Sequence, residues 1–148
     1  MVINRFLVTS LCLVLFLTGS SWAEDGRLSL RVQVKGALPD TGQIFLSLFS
    51  SEDNYLKEPV EYEEIKVNET GEVTWTFKDL STGTYAVSAI YDQNGNGKLD
   101  TGLFKIPKEP IGMSNDAKST FGPPSFKKAS ISLEASSEIT IQLSKVKK

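Results

Sequence analysis

The stretch FKDLSTGTYAV, residues 77–87, marks the place where one predicted strand ends and the next begins. An alternating run, VTWTF, leads into it, and TYAVSAIY leads out of it. The spacing of Phe77, Leu80, Gly83 and Tyr85 predicts a turn that crosses to a second sheet, with the tyrosine anchoring the corner. We expect Gly83 to take a positive φ there, because glycine does so without steric cost.

Other short alternating runs predict strands on both sides of this corner. RLSLRVQVK has the pattern of a half-buried strand. QIFLSLF is apolar enough for a central strand covered on both faces, or for one whose outer face carries Phe45 beneath a loop. We expect VEYEEIKV to point Val60 and Tyr62 inward, to slip phase at a bulge near Glu64 and Ile65, and to form a hairpin through NETGE. KKASISLE and SEITIQLS predict a closing hairpin.

Together these runs predict an all-β fold, an antiparallel sandwich of about seven short strands without a helix. The corner resembles that of the prealbumin-like sandwiches of transthyretin type, and an immunoglobulin-like arrangement belongs to the same class. We expect Tyr62, Trp75 and Phe77 in the core. Residues 101–126 show no sustained period and predict one long loop, which is uncommon inside a compact domain and is often functional.

The N-terminus, residues 1–23, has the pattern of a cleavable signal peptide. A short positive start precedes a mainly apolar run of twelve residues, too short for a membrane-spanning helix, which needs roughly 20. The run Ser21-Trp22-Ala23 predicts cleavage after Ala23, with an uncleaved N-terminal anchor as the alternative. We therefore expect a single β-sandwich domain over residues 24–148, exported to the periplasm or secreted, with no transmembrane segment after cleavage.

Composition excludes several kinds of active site. The chain has no histidine, and its only cysteine, Cys12, lies in the predicted signal peptide. Ser-His-Asp and Cys-His nucleophiles and almost every zinc site are therefore excluded from the mature chain. Removing Arg5 leaves 15 basic and 18 acidic residues, a net charge of −3, which argues against a nucleic-acid partner.

Three motifs, DQNGNGKLD, IGMSNDA and FGPPSF, resemble the bacterial family named domain of unknown function 2141, and the similarity extends over residues 28–143. The resemblance implies a signal peptide followed by one small domain, and it implies the fold and export more than an activity. Three positions depart from the family pattern. Tyr91 stands where a histidine is usual, Lys105 where a glycine is common, and Met113 where an aromatic residue is common.

The run DQNGNGKLD, residues 92–100, copies the first half of an EF-hand calcium loop. The twelfth position, a bidentate glutamate in an EF-hand, is Leu103, so the second half does not follow. A turn without metal stays open as an alternative, because Asn-Gly pairs are turn formers. The expected ligands of a weak calcium site are the side chains of Asp92, Asn94, Asn96 and Asp100 and the backbone carbonyl of Lys98.

The long loop supplies further candidate residues. Glu109, Asn115 and Asp116 are the nearest groups that could complete a cation shell. Phe104, Phe121 and Phe126 suggest an aromatic platform for a sugar or peptide. Alternatively, these rings anchor the loop onto the sandwich, because a loop of this length needs buried anchors to become ordered.

These observations favour a non-catalytic binding or structural module of the cell envelope, with an envelope glycan or protein as partner and calcium as the one cofactor to consider. The alternative function is a small carboxylate-dependent hydrolase or lyase acting on envelope polysaccharide. Its carboxylates would come from Asp92, Asp100, Glu109 and Asp116.

Overall fold

A computed structural model describes residues 26–146, which form two β-sheets packed face to face. The predicted signal peptide, residues 1–23, lies outside the described residues. Within residues 26–146 no helix is long and apolar enough to cross a membrane. The strands are β1 (Leu28–Lys35), β2 (Gln43–Phe49), β3 (Glu61–Lys66), β4 (Val73–Leu80), β5 (Gly83–Asp92), β6 (Ile111–Met113), β7 (Ile131–Leu133) and β8 (Ser137–Gln142), with a short helix, α1 (Phe126–Ala129).

The sheet topology confirms the predicted sandwich. One sheet has the order β4-β1-β8, and the other has the order β3-β2-β5-β6, with β7 also paired to β5. All pairs are antiparallel except β1 with β8, which is parallel. The described residues therefore contain eight strands, one more than expected, because the predicted long loop contributes β6.

The main core lies between the sheets and is built from the alternating apolar positions of the strands. Leu30, Val32 and Val34 of β1 are fully or almost fully buried, and they lie in one cluster with alternate residues of β2 and β5. Phe77 is completely buried, and Trp75 packs half-buried against the same cluster. The predicted core positions of these two residues are confirmed.

The prediction for β3 was wrong. Tyr62 is 46 % exposed and Val60 is 48 % exposed. The register between β2 and β3 runs without interruption from Glu61 to Lys66, so there is no bulge at Glu64 and Ile65. The reason is the phase of β3. Ile65 pairs with the buried Ile44 and faces the core, so Tyr62, which pairs with Ser47, faces the other side of the sheet. Tyr62 lies on its outer face, where its ring centroid is 6.1 Å from that of Phe45.

The corner between β4 and β5 joins the two sheets, as predicted. The Tyr85 hydroxyl donates a hydrogen bond to the Ser81 carbonyl over 3.0 Å, which confirms the tyrosine anchor. The positive φ, however, is at Asp79 (57°) and not at Gly83. Asp79 lies inside β4, where the register with β1 shifts as at a bulge, so the positive φ belongs to the strand and not to the turn. A Cβ at Gly83 would meet the Tyr85 ring at 3.5 Å.

Both predicted hairpins were also wrong, because each pair of strands is divided between the sheets. β3 and β4 belong to different sheets, and so do β7 and β8. The turn between β3 and β4 is still a local one, in which the Asn68 side chain accepts from the Thr70 backbone N–H over 3.0 Å. After β7 the chain crosses the sandwich, and β8 pairs with β1.

A second, smaller apolar cluster covers the outer face of the sheet that contains β2 and β5. Tyr55, in the turn after β2, contacts Phe49 on one side and Phe126 of α1 on the other, with ring centroids 5.4 Å and 5.6 Å apart. Met113 and Ala129 complete the cluster. Phe45, the other large outward residue of β2, is also buried and contacts Tyr62 of β3, not a loop. The prediction that β2 is covered on both faces is therefore confirmed.

The segment predicted as a long unstructured loop closes one side of the sandwich. β6 pairs with the end half of β5, and Ile111 exchanges two backbone hydrogen bonds with Ser144, of 3.0 Å and 2.9 Å. Gly112 lies directly over Ile141, so close that a Cβ would collide with the isoleucine side chain. Glycine is needed here for this close approach.

We predict that Gly112→Ala lowers the free energy of unfolding by about 1–3 kcal/mol, because the added methyl overpacks the junction of β6 with β8. Urea denaturation of the mature domain measures the effect. Gly102→Ala is the matched control, because a Cβ at Gly102 meets nothing closer than 3.6 Å. Equal stability of the two variants would contradict the packing at Gly112.

Candidate binding loop at the end of β5

The carboxylate of Asp92 organises the loop that follows β5. Asp92 is fully buried at the last position of the strand. Its Oδ1 accepts from the backbone N–H groups of Gly95 (2.8 Å) and Asn96 (3.1 Å). Its Oδ2 accepts from the Gly97 N–H and the Gln43 side-chain amide, both over 2.9 Å. A carboxylate has about four lone-pair sites, so these four donors saturate it.

The two Asn-Gly pairs allow the backbone to wrap around this carboxylate. Gly95 and Gly97 have positive φ values of 70° and 81°, which glycine adopts freely. The Asn94 side-chain oxygen accepts from the Asn96 N–H over 3.1 Å, and the Asn96 oxygen accepts from the Lys98 N–H over 3.0 Å. These are Asx turns, the arrangement expected of the sequence as a turn.

Electrostatics keep Asp92 ionised. Its burial alone would raise its pKa, because a charged group loses hydration in the interior. The hydrogen bonds from Gln43, Gly97, Asn96 and Gly95 stabilise the carboxylate more strongly, and together they lower the pKa of Asp92 below its ordinary value. The loop is thus built around a buried negative charge.

Glu109 fastens the same loop from the other side. It is only 6 % exposed. Its Oε1 accepts from the Gln93 backbone N–H over 3.1 Å, and its Oε2 accepts from the Asp100 N–H over 3.0 Å. One side chain therefore holds both ends of residues 93–100. Of the three groups expected to reach the loop from the long segment, Glu109 does so.

The other two groups lie elsewhere. The Asn115 amide donates to the Ser130 carbonyl over 2.6 Å, and Asp116 forms an ion pair with Lys118 at 2.8 Å. The expectation that they complete a shell at Asp92 was wrong. β6 runs antiparallel to β5 and carries the chain back along it, away from Asp92, before it reaches these residues.

Asp100 faces the asparagines of the loop. Its Oδ2 accepts from the side-chain amides of Asn94 (2.7 Å) and Asn96 (3.0 Å). Among residues 26–146, no group of three or more Asp, Glu, His or Cys side chains is placed to hold a metal ion. Calcium binding by the five predicted ligands stays a prediction.

Beyond Asp100 the chain forms a small hairpin, residues 101–107, that we call the tip. Thr101 pairs with Pro107 as an isolated bridge, and the Gly102 N–H donates to the Ile106 carbonyl over 2.7 Å. Leu103 and Phe104 project from the tip, 84 % and 94 % exposed. The EF-hand pattern identifies Leu103 only as the position of a missing ligand, although two adjacent large apolar residues in a turn indicate an exposed apolar surface.

The three phenylalanines of the predicted aromatic platform have three different surroundings. Phe104 is on the tip, Phe121 is 90 % exposed in the segment before α1, and Phe126 packs against Tyr55. Phe126 is an anchor, as one of the two interpretations expected. Phe104 and Phe121 are too exposed to anchor anything, so that interpretation was wrong for these two.

These features define a small β-sandwich protein that presents a hydrogen-bonded loop with an apolar tip at one end. Residues 32–142, from within β1 to the end of β8, match the family described as "Uncharacterized protein conserved in bacteria (DUF2141)". The chain belongs to this family, as its motifs predicted. Neither the comparison with curated proteins nor the comparison with solved structures gives a match.

We predict that Asp92→Asn lowers the free energy of unfolding at neutral pH by about 2 kcal/mol, because buried N–H donors lose a charged acceptor. The folded pKa of Asp92 is lowered, so its contribution is complete above the unfolded value of about 3.9 and is lost as the pH falls through the folded value. Denaturant unfolding from pH 7 to acid pH should therefore show a shallower acid decline for the variant.

Asp116→Asn is the control for this prediction, because it removes an exposed carboxylate. It should leave the acid decline of the wild-type protein in place and change stability by less than about 0.5 kcal/mol. An unchanged acid decline in Asp92→Asn would contradict the stabilised charge.

Proposed function

We propose that this protein is an exported, non-catalytic module of the bacterial cell envelope that binds its partner through the tip. The observation that carries the proposal is that a loop with a firmly hydrogen-bonded base exposes apolar side chains at its tip. Asp92 and Glu109 hold the base of the loop with six hydrogen bonds. Leu103 and Phe104 then extend from it into solvent.

The backbone of the tip supports a role in presentation. Phe104 and Lys105 both have positive φ values, 58° and 57°. For residues other than glycine this conformation costs about 1 kcal/mol or more each, and it persists only where the surroundings hold it. Exposed loops on a rigid scaffold commonly carry binding residues. A strained turn that exposes a phenylalanine does not stabilise the fold, so its conformation supports a role in binding.

The carboxylates of the loop support a non-catalytic role. The acid in glycoside hydrolysis needs a raised pKa and an open path to the substrate, whereas Asp92 is buried with a lowered pKa. Both oxygens of Glu109 accept backbone hydrogen bonds. Asp116, the fourth carboxylate of the hydrolase alternative, is engaged with Lys118 away from this loop.

Calcium has no essential role in the proposal. A cation could reach Asp92 only by displacing one of its four N–H donors. Asp100 accepts its two side-chain bonds through Oδ2, which leaves Oδ1 for a cation. A single open carboxylate oxygen supports at most the weak affinity of extracellular modules, on the order of 10⁻⁴ to 10⁻³ M.

Co-sedimentation of the purified mature protein with isolated bacterial cell envelopes tests the proposal. We expect the wild-type protein to sediment with envelopes and Phe104→Ser to remain in the supernatant. Phe121→Ser is the matched control, because it removes an equally exposed phenylalanine outside the tip and should sediment like the wild type.

A parallel assay for sugars released from the envelope polysaccharide addresses the hydrolase alternative. We expect no release. Release that disappears in Asp100→Asn would contradict the non-catalytic role, and equal sedimentation of Phe104→Ser and the wild type would contradict binding through the tip.

A further inference from the structure

The tip and the C-terminal segment together form one apolar surface at the end of the sandwich. Leu103, Phe104, Ile106 and Pro107 lie around a shallow groove, and Val146 closes it from the other side. Leu103 and Phe104 are neighbours in the chain and almost fully exposed, so they project beside this groove. We call these two side chains the wedge.

Positive charge surrounds this wedge. Lys108 and Lys145 border the same groove, and Lys105 follows Phe104 directly. None of the three takes part in an ion pair within residues 26–146. The nearest carboxylates in the chain, Asp100 and Glu109, accept hydrogen bonds from the loop.

The charge at this end is opposite to that of the whole protein. Residues 101–108 with 145–146 contain three lysines and no acidic residue, although the full chain has a formal net charge of −2. A local reversal of sign at an apolar projection indicates a partner with negative charge.

We propose that the tip docks onto an anionic phospholipid surface. Leu103 and Phe104 enter the boundary between headgroups and acyl chains, while Lys105, Lys108 and Lys145 contact lipid phosphates. Apolar residues flanked by lysines bind membrane interfaces in this way, through buried apolar area and attraction to anionic lipid. The inference rests on the proposed function and names the partner of the tip.

Shape and composition favour lipid over a protein partner. A stable protein interface buries about 800 Å² on each side, more than two projecting side chains supply. Lysine is depleted in protein interfaces, whereas it is favourable beside anionic lipid. A fluid bilayer can close around a narrow projection without a complementary pocket.

Flotation with phospholipid vesicles tests this inference. The mature protein is mixed with vesicles of phosphatidylcholine and phosphatidylglycerol, or of phosphatidylcholine alone, at low and at high salt. We expect flotation with the anionic vesicles at low salt, and loss of it at high salt or without phosphatidylglycerol. This dependence follows because the lysine contacts are screened by salt.

Two pairs of variants separate the apolar from the charged contribution. Phe104→Ser should weaken binding to anionic vesicles by about tenfold or more, because the variant has no phenylalanine ring to transfer from water into the bilayer. Lys145→Glu should weaken it by about tenfold through charge reversal. Phe121→Ser and Lys66→Glu, which change exposed residues outside the tip, should bind like the wild type. Melting temperatures of all four variants verify that they fold.

Three results would overturn the inference: no flotation of the wild type with anionic vesicles, equal flotation of Phe104→Ser, or a dimer in lipid-free sedimentation that Phe104→Ser abolishes. If flotation fails while envelopes still sediment the wild type and not Phe104→Ser, the partner is a glycan or protein and the proposed function stands. If both fail, the proposed function fails as well.

Discussion

The buried carboxylate of Asp92 is the constraint on which the functional end of this protein depends. An ionised group without hydration is unfavourable in a protein interior unless hydrogen bonds replace the lost water. Asp92 receives those bonds from Gln43 of the neighbouring strand and from three consecutive backbone groups, those of residues 95–97. The strand and the loop are therefore held together through one side chain.

The rest of the loop follows from this arrangement. Because Asp92 fixes residues 95–97 and Glu109 fixes residues 93 and 100, the chain leaves the sandwich at a defined place. The hairpin beyond Asp100 then projects outward with Leu103 and Phe104 at its end. The two acidic side chains that hold the loop, Asp92 and Glu109, are buried, whereas Lys108 and Lys145 border the groove beside the tip.

Local patterns in the sequence predict every strand except β6, and they predict the tyrosine corner, because periodicity and turn chemistry act over a few residues. Sheet membership depends on distant partners, so the local pattern predicts hairpins after β3 and after β7 although the chain crosses the sandwich at each. Tyr62 has the spacing of a core residue, and only the register of β3 with β2 shows that it lies on the outer face.

For the candidate site, too, local features could be predicted from the sequence and long-range contacts could not. The turn at residues 92–100 follows from its Asn-Gly pairs, and Glu109 was among the residues expected to return to it. Glu109 reaches the loop and Asn115 does not, because β6 lies between them and carries the chain away. β6 has only three residues, too few to show an alternating pattern of apolar and polar residues. The exposure of Phe104 depends on the hairpin pairing of Thr101 with Pro107, which no local pattern indicates.

The Asp92 carboxylate closes the loop through its own four hydrogen bonds. Amide hydrogen exchange at Gly95, Asn96 and Gly97, measured by NMR in the mature domain with a chelator and with millimolar calcium, tests it most directly. We expect three protected amides whose exchange rates are the same in both conditions. Unprotected amides in the chelator that become protected when calcium is added would contradict it.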